Sequence, residues 1–143
     1  MVIAVSTVVV AGAALTVWTL VVTPAAPPYL AQLQRLPVWL AILGVIGFAF
    51  VNPIWEEVLF RGVILQDLTE IWGPRIAVVA QAVLFGAAHW AGFPSGWVGM
   101  LMAAVWGLML GVIRLRTGGI ALPYLVHVTA NAVIGSLAVV LLR

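Results

Sequence analysis

Three charged side chains interrupt an apolar stretch of the chain, PIWEEVLFRGVIL, at residues 53–65. Glu57 and Arg61 are four residues apart with the acid first, which is the favourable order for an ion pair on a helix. Glu56 is turned about 100° from Glu57 around an α-helix of 3.6 residues per turn, and it lies five positions before Arg61. The spacing therefore predicts a structural Glu57–Arg61 pair beside a carboxylate for which the local sequence offers no obvious partner.

Polar side chains recur at helical spacing in two later apolar segments. In QAVLFGAAH, the residues Gln81, Phe85 and His89 are four apart and share one helix face. In HVTAN, His127 and Asn131 are related in the same way. A lone histidine in an apolar helix is usually a core residue with satisfied hydrogen bonds. Two histidines and an asparagine, in a chain that also has a carboxylate to spare, instead favour one shared interior site.

This set of side chains suits the hydrolysis of an amide or peptide bond in two ways. A shielded carboxylate can act as a general base on a water molecule that a histidine helps to hold. A second histidine and an asparagine amide can donate hydrogen bonds to the developing oxyanion. Alternatively, Glu56, His89 and His127 are candidate ligands for one divalent metal such as zinc, with a coordination position left for water. The same residues serve both schemes, so the sequence does not choose between them.

Other membrane-protease chemistries lack their residues in this chain. Asp67 is the only aspartate, which excludes an aspartyl dyad, and there is no HExxH motif. The absence of cysteine excludes a thiol nucleophile. A serine–histidine dyad would need Ser95, whose GFPSGW context is typical of a turn between helices.

The composition is that of a membrane protein. The chain of 143 residues is 65% hydrophobic and 7% charged, whereas soluble domains are about a quarter charged. Its net charge of +2 is too small to indicate nucleic-acid binding. We therefore predict an integral, multi-pass protein of a bacterial or archaeal plasma membrane, in contact with lipid and without a nucleic-acid partner.

Five apolar helices are predicted, at residues 2–22, 39–68, 76–90, 97–113 and 120–142. A run of about 20 apolar residues can cross a bilayer. Pro53 interrupts the longest of these helices, and a proline inside a helix removes a backbone hydrogen bond and kinks the chain. The proline-rich residues 23–37 form a connection. The predicted fold class is an all-α, polytopic transmembrane helix bundle, a single membrane domain of residues 1–143 with one kinked long helix.

Two further patterns concern how these helices pack. Small residues recur at four-residue spacing in the fourth helix, at Gly99, Ala103, Gly107 and Gly111. Such a ladder lets another helix approach closely, and within one chain it predicts packing inside the bundle, so a homo-oligomer is not indicated. Tryptophans that suit anchoring at the membrane interface lie near helix ends: Trp39, Trp72, Trp90 and Trp97.

Three short motifs, in order along the predicted helices, match one known family. EEVLFR at 56–61 fits EExxxR, FGAAH at 85–89 fits FxxxH, and HVTAN at 127–131 fits HxxxN. Over residues 50–136, the family-like core, the chain resembles the CPBP family, also called the Abi or CAAX-protease family. That family includes the Ras-converting CAAX endoprotease and many bacterial intramembrane proteases. The chain is short for the family, so helices that usually precede the first motif are expected to be missing.

The resemblance implies an intramembrane endopeptidase that acts on a membrane-associated or prenylated CAAX-type protein or peptide. It implies that Glu56 and His89 activate water and that His127 and Asn131 help to build the oxyanion site. Members are often called metalloproteases, which leaves one divalent metal open as a cofactor.

The remaining motif residues would be supporting residues: Glu57, Arg61 and Phe85. Two other functions are compatible with the same residue types. One is a non-catalytic, immunity-type membrane protein of the same fold. The other is a proton or cation carrier, since buried glutamate and histidine also build relays. The carrier is less favoured, because the sequence shows neither repeated halves nor a second carboxylate cluster.

Overall fold

The computed structural model describes residues 2–22 and 32–141, and this part of the chain contains helices and no strand. In chain order the elements are α1 (Val2–Val22), a 3₁₀ helix (Gln32–Arg35), α2 (Val38–Glu56), a π-helix (Glu57–Ile64), α3 (Leu65–Trp72), α4 (Pro74–Ala88), α5 (Gly96–Thr117) and α6 (Ala121–Leu141). Since α2, the π-helix and α3 are continuous, Val38–Trp72 is one long helix. The five predicted helices are thereby confirmed. Residues 23–31 of the predicted connection lie outside the described part.

Two of these helices, Val38–Trp72 and Gly96–Thr117, are long and apolar enough to cross a membrane, within the part of the chain described. Shorter apolar helices cover Val8–Val22, Pro74–Ala88 and Ala121–Leu137. Large apolar side chains on the long helices are exposed, among them Val51, Leu101 and Val105. A soluble helix would turn such a face toward a core. The chain is therefore a membrane protein, as its composition predicts.

Glycine and proline set the ends of the helices around the candidate site. Gly73 follows α3 with a φ of 76°, a backbone conformation that favours glycine. Pro74 then begins α4, where its missing N–H leaves no intrahelical hydrogen bond unmade. Gly118 ends α5 in the left-handed conformation with a φ of 70°. Gly73 and Pro74 thus determine where α4 begins, and Gly118 determines where α5 ends.

The chain divides into two compact units. The first unit comprises Met1–Pro53 and Val126–Arg143. In it, α6 lies close to both α1 and α2. A methyl group on Gly12 would be 3.3 Å from Val133 Cγ1, and one on Gly135 would be 2.9 Å from Val45 Cγ1. Small residues thus allow these helices to approach closely.

The second unit comprises Ile54–Leu125, in which α4 packs against α3 and α5. A methyl group on Gly86 of α4 would be 2.5 Å from the backbone oxygen of Met100 on α5. On α5, a methyl group on Gly107 would be 3.0 Å from Phe85, and one on Gly111 would be 2.8 Å from Val78. The predicted role of the glycine ladder in intramolecular packing is therefore confirmed at Gly107 and Gly111.

Candidate active site

The ion pair predicted from the 57–61 spacing is confirmed. Arg61 Nη1 donates to Glu57 Oε1 at 2.9 Å, and the two side chains are 0% and 1% exposed. Two charges removed from water in this way are expensive unless they neutralise each other and find further polar contacts. The pair therefore fixes the positions of both side chains.

Arg61 is also held by two other elements. Its Nη2 donates to the backbone oxygen of Gly107 on α5 at 3.3 Å. Its guanidinium carbon lies 4.4 Å from the centre of the Phe85 ring on α4, which is a cation–π contact. One arginine thus links the π-helix to both α4 and α5.

The π-helix changes the position of Glu56. Backbone hydrogen bonds of a π-helix join residues five apart, so side chains five positions apart come toward one face. Glu56 is the N-terminal cap residue of this segment and is buried. The spacing argument for Glu56 assumed an α-helical turn, whereas the segment that follows Glu56 is a π-helix.

His89 faces Glu56 from the end of α4. The distance from His89 Nε2 to Glu56 Oε1 is 3.9 Å, with the histidine side chain 34% exposed and the glutamate 5% exposed. This separation is too long for a direct hydrogen bond. A water molecule could bridge the two atoms at this distance. One member of the pair is therefore accessible and the other is shielded.

The orientation of the His89 ring follows from its second nitrogen. Nδ1 lies 2.8 Å from the backbone oxygen of Phe85. Because a carbonyl can only accept, Nδ1 carries the proton, and in the neutral ring Nε2 presents its lone pair on the Glu56 side. The backbone of α4 thus selects the tautomer that can accept a proton or bind a metal.

Phe85 packs between the two parts of this site. Its ring centre is 4.4 Å from that of His89, with the planes tilted by 33°, and 4.9 Å from that of Phe60 in an edge-on contact. It also carries the Arg61 guanidinium, as described above. The predicted supporting residue therefore contacts both the ion pair and the histidine.

The sequence of the chain matches a known protein family. Residues 37–133 match the family model described as type II CAAX prenyl endopeptidase Rce1-like. The chain belongs to the Rce1-like family. The predicted family is confirmed, and the matched region contains all three motifs.

A curated relative of this Rce1-like chain comes from Escherichia coli and is described as an uncharacterized 24.3 kDa protein. It is 33% identical over 95 residues, which cover 63% of this chain and 42% of the relative. The chain thus spans less than half the length of that relative. No solved structure is significantly similar to the 143-residue chain itself.

The HxxxN motif, His127 and Asn131, lies on α6 in the first unit. His127 and Asn131 are both buried there and are four residues apart, so they share a helix face as expected. Glu56 and His89 belong to the second unit. The convergence of all four residues on one site stays a prediction.

The donors that a metal would need can be examined within the second unit. Glu56 and His89 offer two ligand types that zinc accepts, whereas catalytic zinc sites use three protein ligands. Among the described residues, no group of three or more His, Cys, Asp or Glu side chains is placed to hold a metal ion. The two residues do not by themselves make a metal site.

Two polar groups of the second unit, the Gln81 side chain and the Gly107 backbone oxygen, were not among the predicted site groups. Gln81 is fully buried on α4, and neither of its amide atoms has a hydrogen-bond partner in the described part of the chain. Its four-residue spacing from Phe85 was the signal that could have identified it. Gly107 supplies a backbone acceptor to Arg61 from 46 positions away, and nothing in the local sequence predicts that contact.

Proposed function

We propose that this chain is an intramembrane endopeptidase that hydrolyses a peptide bond with water activated by Glu56 and His89. The observation that carries the proposal is the Glu56–His89 pair, with one side chain buried, the other accessible, and His89 oriented by the Phe85 carbonyl. A base and a partner held in this way can share one water molecule. Membership of the Rce1-like family supports the same reaction class.

In the proposed reaction, His89 Nε2 and the Glu56 carboxylate hold the attacking water. Glu56 accepts a proton as the water oxygen bonds to the substrate carbonyl carbon. The proton passes to the amide nitrogen as the carbon–nitrogen bond breaks, which releases an amine and a carboxylic acid. Glu57 and Arg61 hold the backbone that carries Glu56, and Phe85 positions His89.

We assign His127 and Asn131 to the oxyanion site on the strength of the HxxxN motif. Both are buried, and the amide nitrogen of Asn131 has no hydrogen-bond partner in the described part of the chain. An amide N–H donor of this kind can stabilise negative charge that develops on a substrate oxygen.

The proposed substrate is a membrane-associated or prenylated CAAX-type protein or peptide. The family description names prenyl endopeptidases, and the two long apolar helices support a membrane location, where such a substrate would reside. The same fold without catalysis, as an immunity-type protein, would leave the peptide bond intact. A carrier would instead move protons or cations.

The test is cleavage of prenylated CAAX peptides and of transmembrane peptides by purified protein. Glu56→Gln keeps the size of the side chain but removes its basicity. We expect a fall in kcat of roughly 100- to 10,000-fold, the usual contribution of general acid–base catalysis. Asp67→Asn is the matched control, since Asp67 is an exposed acid eleven positions further along the same helix.

Cleavage by wild type and by Glu56→Gln at equal rates would show that Glu56 is not the base. Absence of cleavage across the panel, together with pH-dependent ion flux in liposomes, would favour the carrier. Treatment with a chelator is a further arm of the assay. Full activity would support the direct Glu–His scheme, and inhibition reversed by zinc would show that a metal assists the reaction.

A further inference from the structure

A second concave site lies in the second unit, beside the C-terminal end of α5. It is a cavity of about 250 Å³ whose polar wall comprises Arg61, Gln66, Thr69, Glu70 and Arg114, with two leucines completing it. We call it the arginine cavity. It faces the α3 side of the long helix, and no part of the proposed reaction uses it.

Arg114 is the residue of the arginine cavity that lacks a counter-charge. It lies in the last turn of α5 and is half-buried. Its Nε is buried and has no hydrogen-bond partner among the residues described, and neither the Glu57–Arg61 ion pair nor the Glu56–His89 contact includes Arg114. A buried donor left without an acceptor costs free energy.

Arg61, whose side chain is 0% exposed, adds a second positive charge in the wall of the cavity. Two of its nitrogens bond to Glu57 and to the Gly107 backbone, whereas its Nε is buried without a hydrogen-bond partner in the described residues. Two guanidinium groups thus line one cavity, each with an N–H that the described protein does not satisfy. Such groups match the geometry of a bidentate oxyanion.

Two features of the protein act on Arg114, and neither satisfies its N–H. The C-terminal end of α5 carries partial negative charge that favours a cation in the last turn, yet it gives Nε no acceptor. Glu70 lines the cavity as an exposed carboxylate and is not within ion-pair distance of either arginine. Because the Arg114 side chain as a whole is only half-buried, an oxyanion in the cavity could approach its guanidinium and balance its charge.

We propose that the arginine cavity binds a phosphate group, and that its source is the headgroup of an anionic phospholipid. The α5 helix is long and apolar enough to cross a membrane, so its last turn, with Arg114, lies where such a helix meets the headgroups. Basic pockets between membrane helices bind phospholipid headgroups in this way. Arg61 lies in the wall of the cavity and in the Glu57 ion pair, so the cavity adjoins the residue that supports the active site.

The test is lipid binding by detergent-purified protein, followed by native mass spectrometry. The probes are a short-chain phosphatidylglycerol, a diacylglycerol with the same chains, and inorganic phosphate. We expect one phosphatidylglycerol to bind, and Arg114→Gln to weaken its affinity by roughly tenfold or more, since a charge-assisted pair is lost. Arg116→Gln is the matched control, because Arg116 is an exposed arginine in the same turn.

Each result decides the proposal. Equal weakening by Arg114→Gln and Arg116→Gln would overturn it, since diffuse surface charge would then explain binding. Diacylglycerol that binds as well as phosphatidylglycerol would also overturn it, because the phosphate would be unnecessary. Competition by inorganic phosphate at similar affinity would keep the site and reassign its ligand to phosphate in solution. If Arg114→Gln does not fold, Arg114→Lys carries the test, and affinity equal to wild type would contradict a guanidinium fork.

Discussion

At the scale of single residues, Arg61 is the most constrained side chain of the second unit. It is fully buried, paired with Glu57, bonded to the Gly107 backbone and stacked on Phe85. A buried ion pair adds little net stability compared with well-packed apolar residues, but removal of one partner leaves an uncompensated buried charge. Removing only Glu57 or only Arg61 should therefore destabilise the fold.

Glu57→Gln tests this asymmetry. We expect a loss of about 3–5 kcal/mol in the free energy of unfolding, the range for breaking a buried ion pair. The measurement is denaturant-induced unfolding in detergent, with the exposed Asp67→Asn as control. The double variant Glu57→Leu, Arg61→Leu should recover part of the loss, because neither member of the pair is then left as an uncompensated buried charge. A Glu57→Gln protein as stable as wild type would mean that Arg61 is not dependent on its partner.

The residue spacing predicts local contacts and misses distant ones. The Glu57–Arg61 pair follows from a four-residue spacing that an α-helix and the observed segment both bring together. The Arg61–Gly107 bond joins residues far apart in the chain, and only the packing of α5 determines it. The contact between His89 and Glu56 is of the same long-range kind, and the chemistry of the side chains suggested it without fixing its distance.

At the scale of elements, the close approach of α4 and α5 determines the positions of Phe85 and His89. A methyl group on Gly86 would be 2.5 Å from a backbone oxygen of α5, so it can be accommodated only if the helices separate. Phe85 precedes this residue and contacts both Arg61 and His89. The glycine thus affects the site without touching a reacting atom.

Gly86→Ala should therefore lower both stability and cleavage. We expect a loss of roughly 1–3 kcal/mol, the usual cost of overpacking, together with reduced kcat. The measurements are unfolding in detergent and peptide cleavage. Gly47→Ala is the matched control, since nothing lies within 4 Å of a methyl group there and alanine favours helix. If Gly86→Ala and Gly47→Ala lowered stability and kcat equally, the close approach of α4 and α5 at Gly86 would not explain the loss.

Helix existence was predictable, whereas helix type was not. Long apolar runs bounded by Gly73, Pro74 and Gly118 mark the elements, and the observed ends differ from the predicted ones by a few residues. The sequence EVLFRGVI carries no signal for i→i+5 hydrogen bonding, because the π-helix depends on how the surrounding helices hold the backbone. The predicted turn of about 100° between Glu56 and Glu57 was an α-helical value, and nothing in the sequence signals the change in helix type that follows Glu56.

At the scale of the whole molecule, the exposed apolar surface decides where the protein can exist. Residues on Val38–Trp72 and Gly96–Thr117 present large apolar side chains outward along helices of membrane-spanning length. In water such a surface would aggregate. Composition alone predicts this property, because a chain with 7% charged residues cannot cover itself with polar groups.

The expected consequence is resistance to extraction from membranes. The expressed protein should stay in the membrane pellet after an alkaline carbonate wash and enter the soluble fraction only with detergent. Immunoblotting of the fractions gives the measurement, with a peripheral membrane protein as the control that is released. Release of this chain by carbonate alone would show that its apolar helices do not span the bilayer.

Phe85 acts on the candidate site through its side chain and its backbone at once. The ring supports Arg61 and packs on His89, while the carbonyl of the same residue accepts from His89 Nδ1. Mutational scanning at this position changes only the ring, so it understates what the residue contributes. Replacing the Phe85–Gly86 amide by an ester, which makes the carbonyl a poorer acceptor and also removes the Gly86 N–H, would change the backbone contribution while the ring stays intact.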